Sequence, residues 1–597
     1  MHPNSNRLYN IAAPFFVLNL LLVFTSFAFQ DDIVTNSGYD WKQDWLIEDG
    51  FKISTDAKGF NLPTAIAFVP EPGPDPKDPL YYVTELRGKV KVVTNDRSVY
   101  TFADLADDDF NFTPKEELPS GLGQGGCAGI GLDPVNGYVF VTSLYRDKND
   151  IMRNNIVRFE TKPGTFAISP GNKKAFTELF SNFESGLAHH IGPCVVKDGY
   201  LYVSIGEAWQ PFKTLQVDQL YGKILRMTLD GKPVPGNPFY KNDSTKVSEN
   251  YVWCYGLRNS FGIKFVGERL FAADNGMNID RFIEIIKGEN YQWNGSDNSI
   301  AMNAKYIWTP ALGPVQMDFY AGNTAVFPKE YNESFFVALS GAVEFKKMPG
   351  IFMIKYSMQE DKIVEVPKHF LKYKGKSWQM VTGLAMGPDG LYFSPIFPDQ
   401  NGETKILKIT YGDADHHPFT LVQNDKPIQM FIEKGCVGCH SIDGTFDYGG
   451  GAAPPIVRGN SFIRKISSRV FSEGYMTSLK KVDESTQEKH VAFKAARNDL
   501  LMTQDSLERV KIWLVSYLQE PEFDKTYHIQ MPNLGLTADE ANLIADYLLE
   551  RPGPKGFADR IKQLLKPPFG FKQLALVLFG GMIAGFTVVF LYVRIKK

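Results

Sequence analysis

Gly192-Pro193-Cys194-Val195, then Leu201-Tyr202-Val203-Ser204, then Lys223-Ile224-Leu225-Arg226 set out a unit: a small-apolar strand start, an aromatic-rich strand and a third strand. The unit recurs along the chain. Its start reappears as Ala65-Ile66-Ala67-Phe68, Gly129-Ile130-Gly131-Leu132, Gly262-Ile263-Lys264-Phe265, Thr324-Ala325-Val326-Phe327 and Gly383-Leu384-Ala385-Met386, at intervals of 59 to 70 residues. An aromatic-rich second strand follows each start, from Leu80-Tyr81-Tyr82-Val83 in the first repeat to Leu391-Tyr392-Phe393-Ser394 in the last. One such unit cannot bury both of its faces, and radial stacking of six does so. The expected fold is therefore mainly β, a six-bladed β-propeller over residues 41–412, with a long β-sandwich or a solenoid as the alternatives.

Gly412, His416, His417, Pro418 and Pro427 break the pattern and predict a linker at 413–427. Beyond it Ala541, Ile544, Tyr547 and Leu548 recur at helical spacing until Arg551-Pro552-Gly553-Pro554, so residues 428–552 read as a small α-helical domain. Gly435-Cys436-Val437-Gly438-Cys439-His440 within it is a CxxCH motif. In c-type haem attachment the two thiols, here Cys436 and Cys439, add to the two vinyl groups on one porphyrin edge, and the imidazole of His440 reaches the iron. Zinc or a redox dithiol would use the same pair, but the sequence has no second CxxC. Gln530-Met531-Pro532-Asn533 precedes a helix start with Thr537 and Glu540 in capping-box spacing. This resembles the Met-Pro segment and final helix of monohaem class I cytochromes c and implies Met531 as the distal iron ligand, with Met502, Met476 and His528 as alternatives. The long separation of His440 from Met531 predicts an insertion, placed in the charged stretch between Asn460 and Met502.

Both ends of the chain are apolar. Ile11 to Phe29 reads as a secretory signal peptide over residues 1–28, with an uncleaved N-terminal anchor as the alternative. After a second linker at 553–573, Leu574 to Val593 carries no charge and is long enough to span a bilayer as a helix. Haem is attached to CxxCH outside the bacterial cytoplasm. The expectation is a single-pass protein of the bacterial cell membrane with its bulk in the periplasm. Among 597 residues, Lys plus Arg is 64 and Asp plus Glu is 67, a formal charge of −3 that gives no basic bias toward nucleic acid. Five cysteines in this length exclude a disulfide framework, and Cys127, Cys194 and Cys254 read as buried small apolar residues.

Several propeller segments resemble the pyrroloquinoline quinone (PQQ)-dependent soluble glucose, aldose-sugar and sorbosone dehydrogenase family. Gly123-Gln124-Gly125-Gly126 is similar to a cofactor loop and implies Gln124 as a contact. His189-His190-Ile191-Gly192, leading into Gly199-Tyr200-Leu201-Tyr202-Val203-Ser204-Ile205-Gly206, is similar to the segment of the catalytic base, which implies His189. Glu207 stands where the family has Asp and is expected to orient that imidazole. Gly256-Leu257-Arg258-Asn259-Ser260-Phe261-Gly262 implies Arg258 and Asn259 at the quinone, and Asp274-Asn275-Gly276-Met277 implies Gly276 and Met277 as Ca²⁺ carbonyl donors. Lys346 and Lys347 stand as cations for the cofactor's carboxylates, while Gln379 and Met380 stand where the family often has Arg.

The expected function is oxidation of a sugar or related hydroxyl substrate with PQQ and Ca²⁺, electrons passing to the chain's own haem c and on to a downstream respiratory acceptor at the membrane. The alternative is non-enzymatic: a propeller–cytochrome c subunit that docks and relays electrons in a membrane respiratory complex.

Overall fold

The computed structural model describes residues 38–550 except 107–124, 169–175, 342–348, 413–415, 422–429, 443–452, 482–490, 522–530 and scattered positions, Cys439 among them. Gln124, Lys346, Lys347, His528 and the apolar segments 11–29 and 574–593 lie outside the described residues. No helix among the described residues is long and apolar enough to cross a membrane.

Six antiparallel sheets form the propeller. Their innermost strands are Pro63–Phe68, Cys127–Asp133, Ile191–Lys197, Ser260–Val266, Pro314–Tyr320 and Val381–Met386. Each lies against the next and the sixth lies against the first, so the ring closes. The N-terminal strand Phe51–Phe60 completes the sixth sheet by pairing with Thr404–Tyr411. Trp45–Ile47 likewise edges the fifth sheet on Lys368–Tyr373. Ends of the chain thus share sheets, which removes an open seam at the closure. Aromatic side chains fill the spaces between blades. Phe51 packs edge-on against Phe327, Tyr331 and Phe370, with ring centroids 4.7–5.1 Å apart.

One strand assignment is corrected. The fifth inner strand is Pro314–Tyr320, and Thr324-Ala325-Val326-Phe327 lies in the loop that follows. The Tyr320 hydroxyl donates to the carbonyls of Thr324 at 2.5 Å and Phe327 at 3.1 Å, and Phe327 is buried as a loop residue. Its apolarity serves the inter-blade core.

The C-terminal unit contains the helices Asn460–Val470, Glu473–Lys481, Val491–Met502, Ser506–Gln519 and Ala538–Leu549. Thr537 and Glu540 make the expected capping box. The stretch read as a charged insertion contributes three of these helices, and Val470, Leu479, Phe493 and Leu500 are buried in the unit's core. Its charges occupy the outer faces, which hid the amphipathic pattern.

Candidate functional site

Every blade begins its inner strand and ends its second strand on the same face of the ring. The registers Ile191↔Ile205 and Ser260↔Asp274 place His189 and Glu207 of blade three beside Arg258 and Asn275 of blade four on that face. The two blades are stitched together there. The Glu207 amide donates to the Arg258 carbonyl at 2.7 Å, and the amides of Gly206 and Ala208 donate to the carbonyls of His190 and His189, each at 3.0 Å. Gly206 is required at this crossing, because a Cβ would collide with the His189 carbonyl.

His189, Ala208 and Trp209 all hold positive φ, at 52°, 49° and 59°. Such backbone is costly for residues other than glycine and persists where surrounding bonds over-determine it. Here the 206–208 ladder does so. The Trp209 ring lies over the His189 ring at 4.4 Å with a 32° tilt, and is itself 58% exposed.

His189 Nδ1 lies 3.1 Å from Glu207 Oε1, and both side chains are buried. Trp293 Nε1 donates to Glu207 Oε2 at 2.5 Å, and Arg258 Nε sits 3.5 Å from Oε1. Burial pushes the Glu207 carboxyl upward, but the hydrogen bonds from His189 and Trp293 and the Arg258 charge outweigh it, and the net shift is downward. The carboxylate therefore accepts, and Nδ1 of His189 is the donor. That tautomer leaves the lone pair on Nε2. Burial, then the Arg258 and His190 charges, push the His189 pKa down to about 4 against the pull of Glu207. The imidazole is thus neutral at neutral pH, the state a proton acceptor needs.

Arg258 is positioned by a second carboxylate. Asp274 accepts from the amides of Arg258 at 3.2 Å and Asn259 at 2.7 Å, and from the Ser260 hydroxyl at 3.0 Å. Its other oxygen pairs with Arg281 Nη2 at 2.9 Å, with both side chains fully buried. The Arg258 Nη1 donates to the Asn275 carbonyl at 2.9 Å. Asp280 accepts from the amides of Gly276 at 2.8 Å, Leu312 at 2.7 Å and Gly313 at 2.9 Å, which ties the 276 loop to blade five. Burial outweighs those amides and raises its pKa to about 6.

The structure thus brings His189, Glu207, Arg258 and Asn259 to one mouth, with Gly276 and Met277 in the adjoining loop. No group of three or more His, Cys, Asp or Glu arranged for a metal occurs among the described residues. Asp274 and Asp280 are committed to Arg281 and to backbone amides, so a cation near Gly276 would have carbonyl donors. Gln379 is buried and spends its side chain on Met380 and Phe397 of its own blade. Trp209 and Trp293 were not singled out from the sequence for this site; Asp274 was placed at a strand end suited to it, but its bonds to the Arg258 amide and to Arg281 were not read. Lone tryptophans after a strand carry no spacing signal, and the reach of Trp293 to Glu207 spans 86 residues.

In the helical unit Cys436 is buried, and His440 Nδ1 bonds the Pro454 carbonyl at 2.9 Å. That bond makes Nδ1 the donor and leaves the lone pair on Nε2. Met531 packs half-buried on the unit's core. Of the alternatives, Met502 is 79% exposed, and the Met476 sulfur accepts from Arg509 at 3.2 Å. The cysteines Cys127, Cys194 and Cys254 are buried free thiols, and burial raises the pKa of each, which suits small apolar residues.

Residues 60–348 match the family model described as Glucose / Sorbosone dehydrogenase. The aldose sugar dehydrogenase YliI of Escherichia coli (strain K12) is 27% identical over 244 residues, 37% of this chain, and the match spans 60% of the length of that curated relative. Among solved structures, the PQQ-bound aldose sugar dehydrogenase of Streptomyces coelicolor is similar at 21% identity, covering 61% of this chain and 99% of that one, with a TM-score of 0.44. The soluble aldose sugar dehydrogenase of Escherichia coli in its apo form is similar at 18% identity, covering 61% and 100%, with a TM-score of 0.46. The segment that builds the mouth thus lies within residues 60–348, which resemble the glucose/sorbosone dehydrogenase family.

Proposed function

We propose that this protein is a dehydrogenase that oxidises a sugar or related hydroxyl substrate at the mouth between blades three and four and passes the electrons to a c-type haem in its helical unit, both held at the periplasmic side of a bacterial membrane. The observation that carries this is the buried His189–Glu207–Trp293 chain beside Arg258, within the segment that matches the family.

PQQ, when bound with Ca²⁺, supplies the two-electron acceptor for the substrate's hydride. The residues present fit a planar, anionic quinone. Arg258 offers a guanidinium for a carboxylate or developing oxyanion, Asn259 an amide, and the Trp209 ring an apolar face. His189 takes the substrate hydroxyl proton on Nε2. Glu207 holds the imidazole in the tautomer that can do so and stabilises the imidazolium formed. Cys436, Cys439, His440 and Met531 would hold the haem, which supplies a one-electron acceptor.

Because the His189 pKa is depressed to about 4, turnover should be flat from about pH 5 to 8 and fall only as pH approaches 4. An acid limb near the ordinary histidine value of about 6.5 would contradict the assigned base. Stability changes with the same group. Between about pH 6.5 and pH 4 the unfolded chain binds a proton that the folded chain refuses, so this histidine's contribution is present above 6.5 and is lost as pH falls to 4.

The direct test supplies PQQ, Ca²⁺ and a panel of aldoses to purified holo-protein and follows a reducible dye and the haem absorbance. Sugar-dependent reduction is expected; none with any substrate would reject the reading. Covalent haem is checked separately on a denaturing gel, where the wild type should retain haem peroxidase stain and Cys436→Ala should lose most of it. The second reading, a non-enzymatic relay subunit, draws on Gln379, which leaves that position of blade six without a cation. It predicts unchanged electron flow in His189→Ala.

A further inference from the structure

The registers of blade five show where the helical unit hangs. Leu339 and Gly350 pair at the mouth end of the blade, and Gly350–Ser357 then runs away from the mouth. At its far end a hairpin turns back, with Tyr356 opposite Ile363. The segment carrying the candidate iron ligand docks on that hairpin: Leu534 and Leu536 share one buried cluster with Ile363. Gly535, at φ +62°, sits so close to the Ile363 carbonyl that a Cβ would collide with it. Arg269 of blade four steadies the same hairpin, donating to the Met358 carbonyl at 3.3 Å.

The linker gives independent support. Residues read as a linker are bonded to the propeller: the His417 amide to the Phe51 carbonyl at 2.9 Å, the Ile47 amide to the Phe419 carbonyl at 3.2 Å, and the Leu421 amide to the Ile47 carbonyl at 2.8 Å. Thr420 bridges Ile47 in parallel. Trp45–Ile47 itself runs antiparallel to Lys368–Tyr373, away from the mouth, so the linker heads toward the far face.

From these placements we infer that the helical unit is fixed on the face opposite the His189–Arg258 mouth, and that electrons leaving one chain's mouth enter the haem of a second copy. This rests on the dehydrogenase reading above, with the receiving haem placed in a second copy and not in the same chain. The eight-residue strand Gly350–Ser357 separates the two faces by about 25 Å at roughly 3.3 Å per residue, too far for fast single-step tunnelling. The aromatic rings between blades four and five, such as Trp308 and Phe352 at 5.8 Å, are oxidised only at potentials well above those of a quinol and do not serve as stops. Oxidising one hydroxyl to a carbonyl releases two electrons and two protons, and a haem takes one electron at a time, so the two electrons leave the mouth in successive one-electron transfers, each to an oxidised haem. The docking surface is the aromatic rim of the mouth, Trp209 at 58% exposure and Phe212 at 80%.

The test uses the full-length holo-protein in detergent with PQQ, Ca²⁺ and sugar. The rate of first haem reduction should fall about tenfold on tenfold dilution, while dye reduction per chain stays constant. In dilute protein, cross-linking with mass spectrometry should join Lys362 on the hairpin to lysines of the helical unit, and should not join Lys213 at the mouth to them. Haem reduction independent of dilution, dye reduction without haem reduction at any concentration, or a Lys213 link within one chain would each overturn the inference. If neither dye nor haem is reduced, the dehydrogenase reading fails and electron exchange between copies fails with it. The cross-links would then still decide where the helical unit sits.

Discussion

His189→Ala lowers turnover of the sugar substrate by roughly 10²–10⁴-fold, the range over which a positioned general base acts. The imidazole is buried, bonded through Nδ1 to Glu207, and kept neutral by burial and by Arg258. Alanine removes the proton acceptor and leaves Glu207 bonded to Trp293 and beside Arg258, too well partnered to stand in. Steady-state dye reduction with saturating PQQ and Ca²⁺ measures the effect, and the far-ultraviolet circular dichroism spectrum serves as the folding control. Loss of kcat with that spectrum unchanged is expected. A drop of less than tenfold would move the base elsewhere and favour the relay reading.

Asp274→Ala has the largest expected effect on stability. It leaves Arg281 as an uncompensated charge in a fully buried place, a change that costs about 3–5 kcal/mol. It also releases the amides of Arg258 and Asn259 and the Ser260 hydroxyl. Calorimetry should show the propeller's unfolding transition several degrees lower. PQQ affinity should weaken in the same variant, because Arg258 loses the carboxylate that sets its backbone. An unchanged transition would mean that Arg281 finds another partner and that Asp274 does not organise the mouth.

The repeat was legible because each blade must present a small-apolar inner strand and an aromatic second strand to its neighbours, and five of the six inner strands fall where that pattern places them. The fifth did not. Phe327 is apolar because it packs against Phe51 from a loop, and periodicity cannot distinguish that from a strand. At the mouth, His189, Glu207, Arg258 and Asn259 were readable because they sit at strand ends in successive repeats. Trp293 was missed, and the role of Asp274 went unread, because their work is done by contacts that chain order does not show: Trp293 closes Glu207 from the next blade, and Asp274 buries a charge against Arg281. Residues 416–421 read as a linker by composition, yet part of that stretch hydrogen-bonds to the edge of blade five. Proline and glycine content reports where a regular pattern stops, and says nothing of whether the backbone then finds partners.

The central claim is that the mouth between blades three and four holds a quinone against His189 and Arg258. Calorimetric titration of the apo-protein with PQQ in the presence of Ca²⁺ tests it without relying on turnover. One saturable site per chain is predicted, weakened at least tenfold in Arg258→Ala. No binding, or binding indifferent to that substitution, would contradict it.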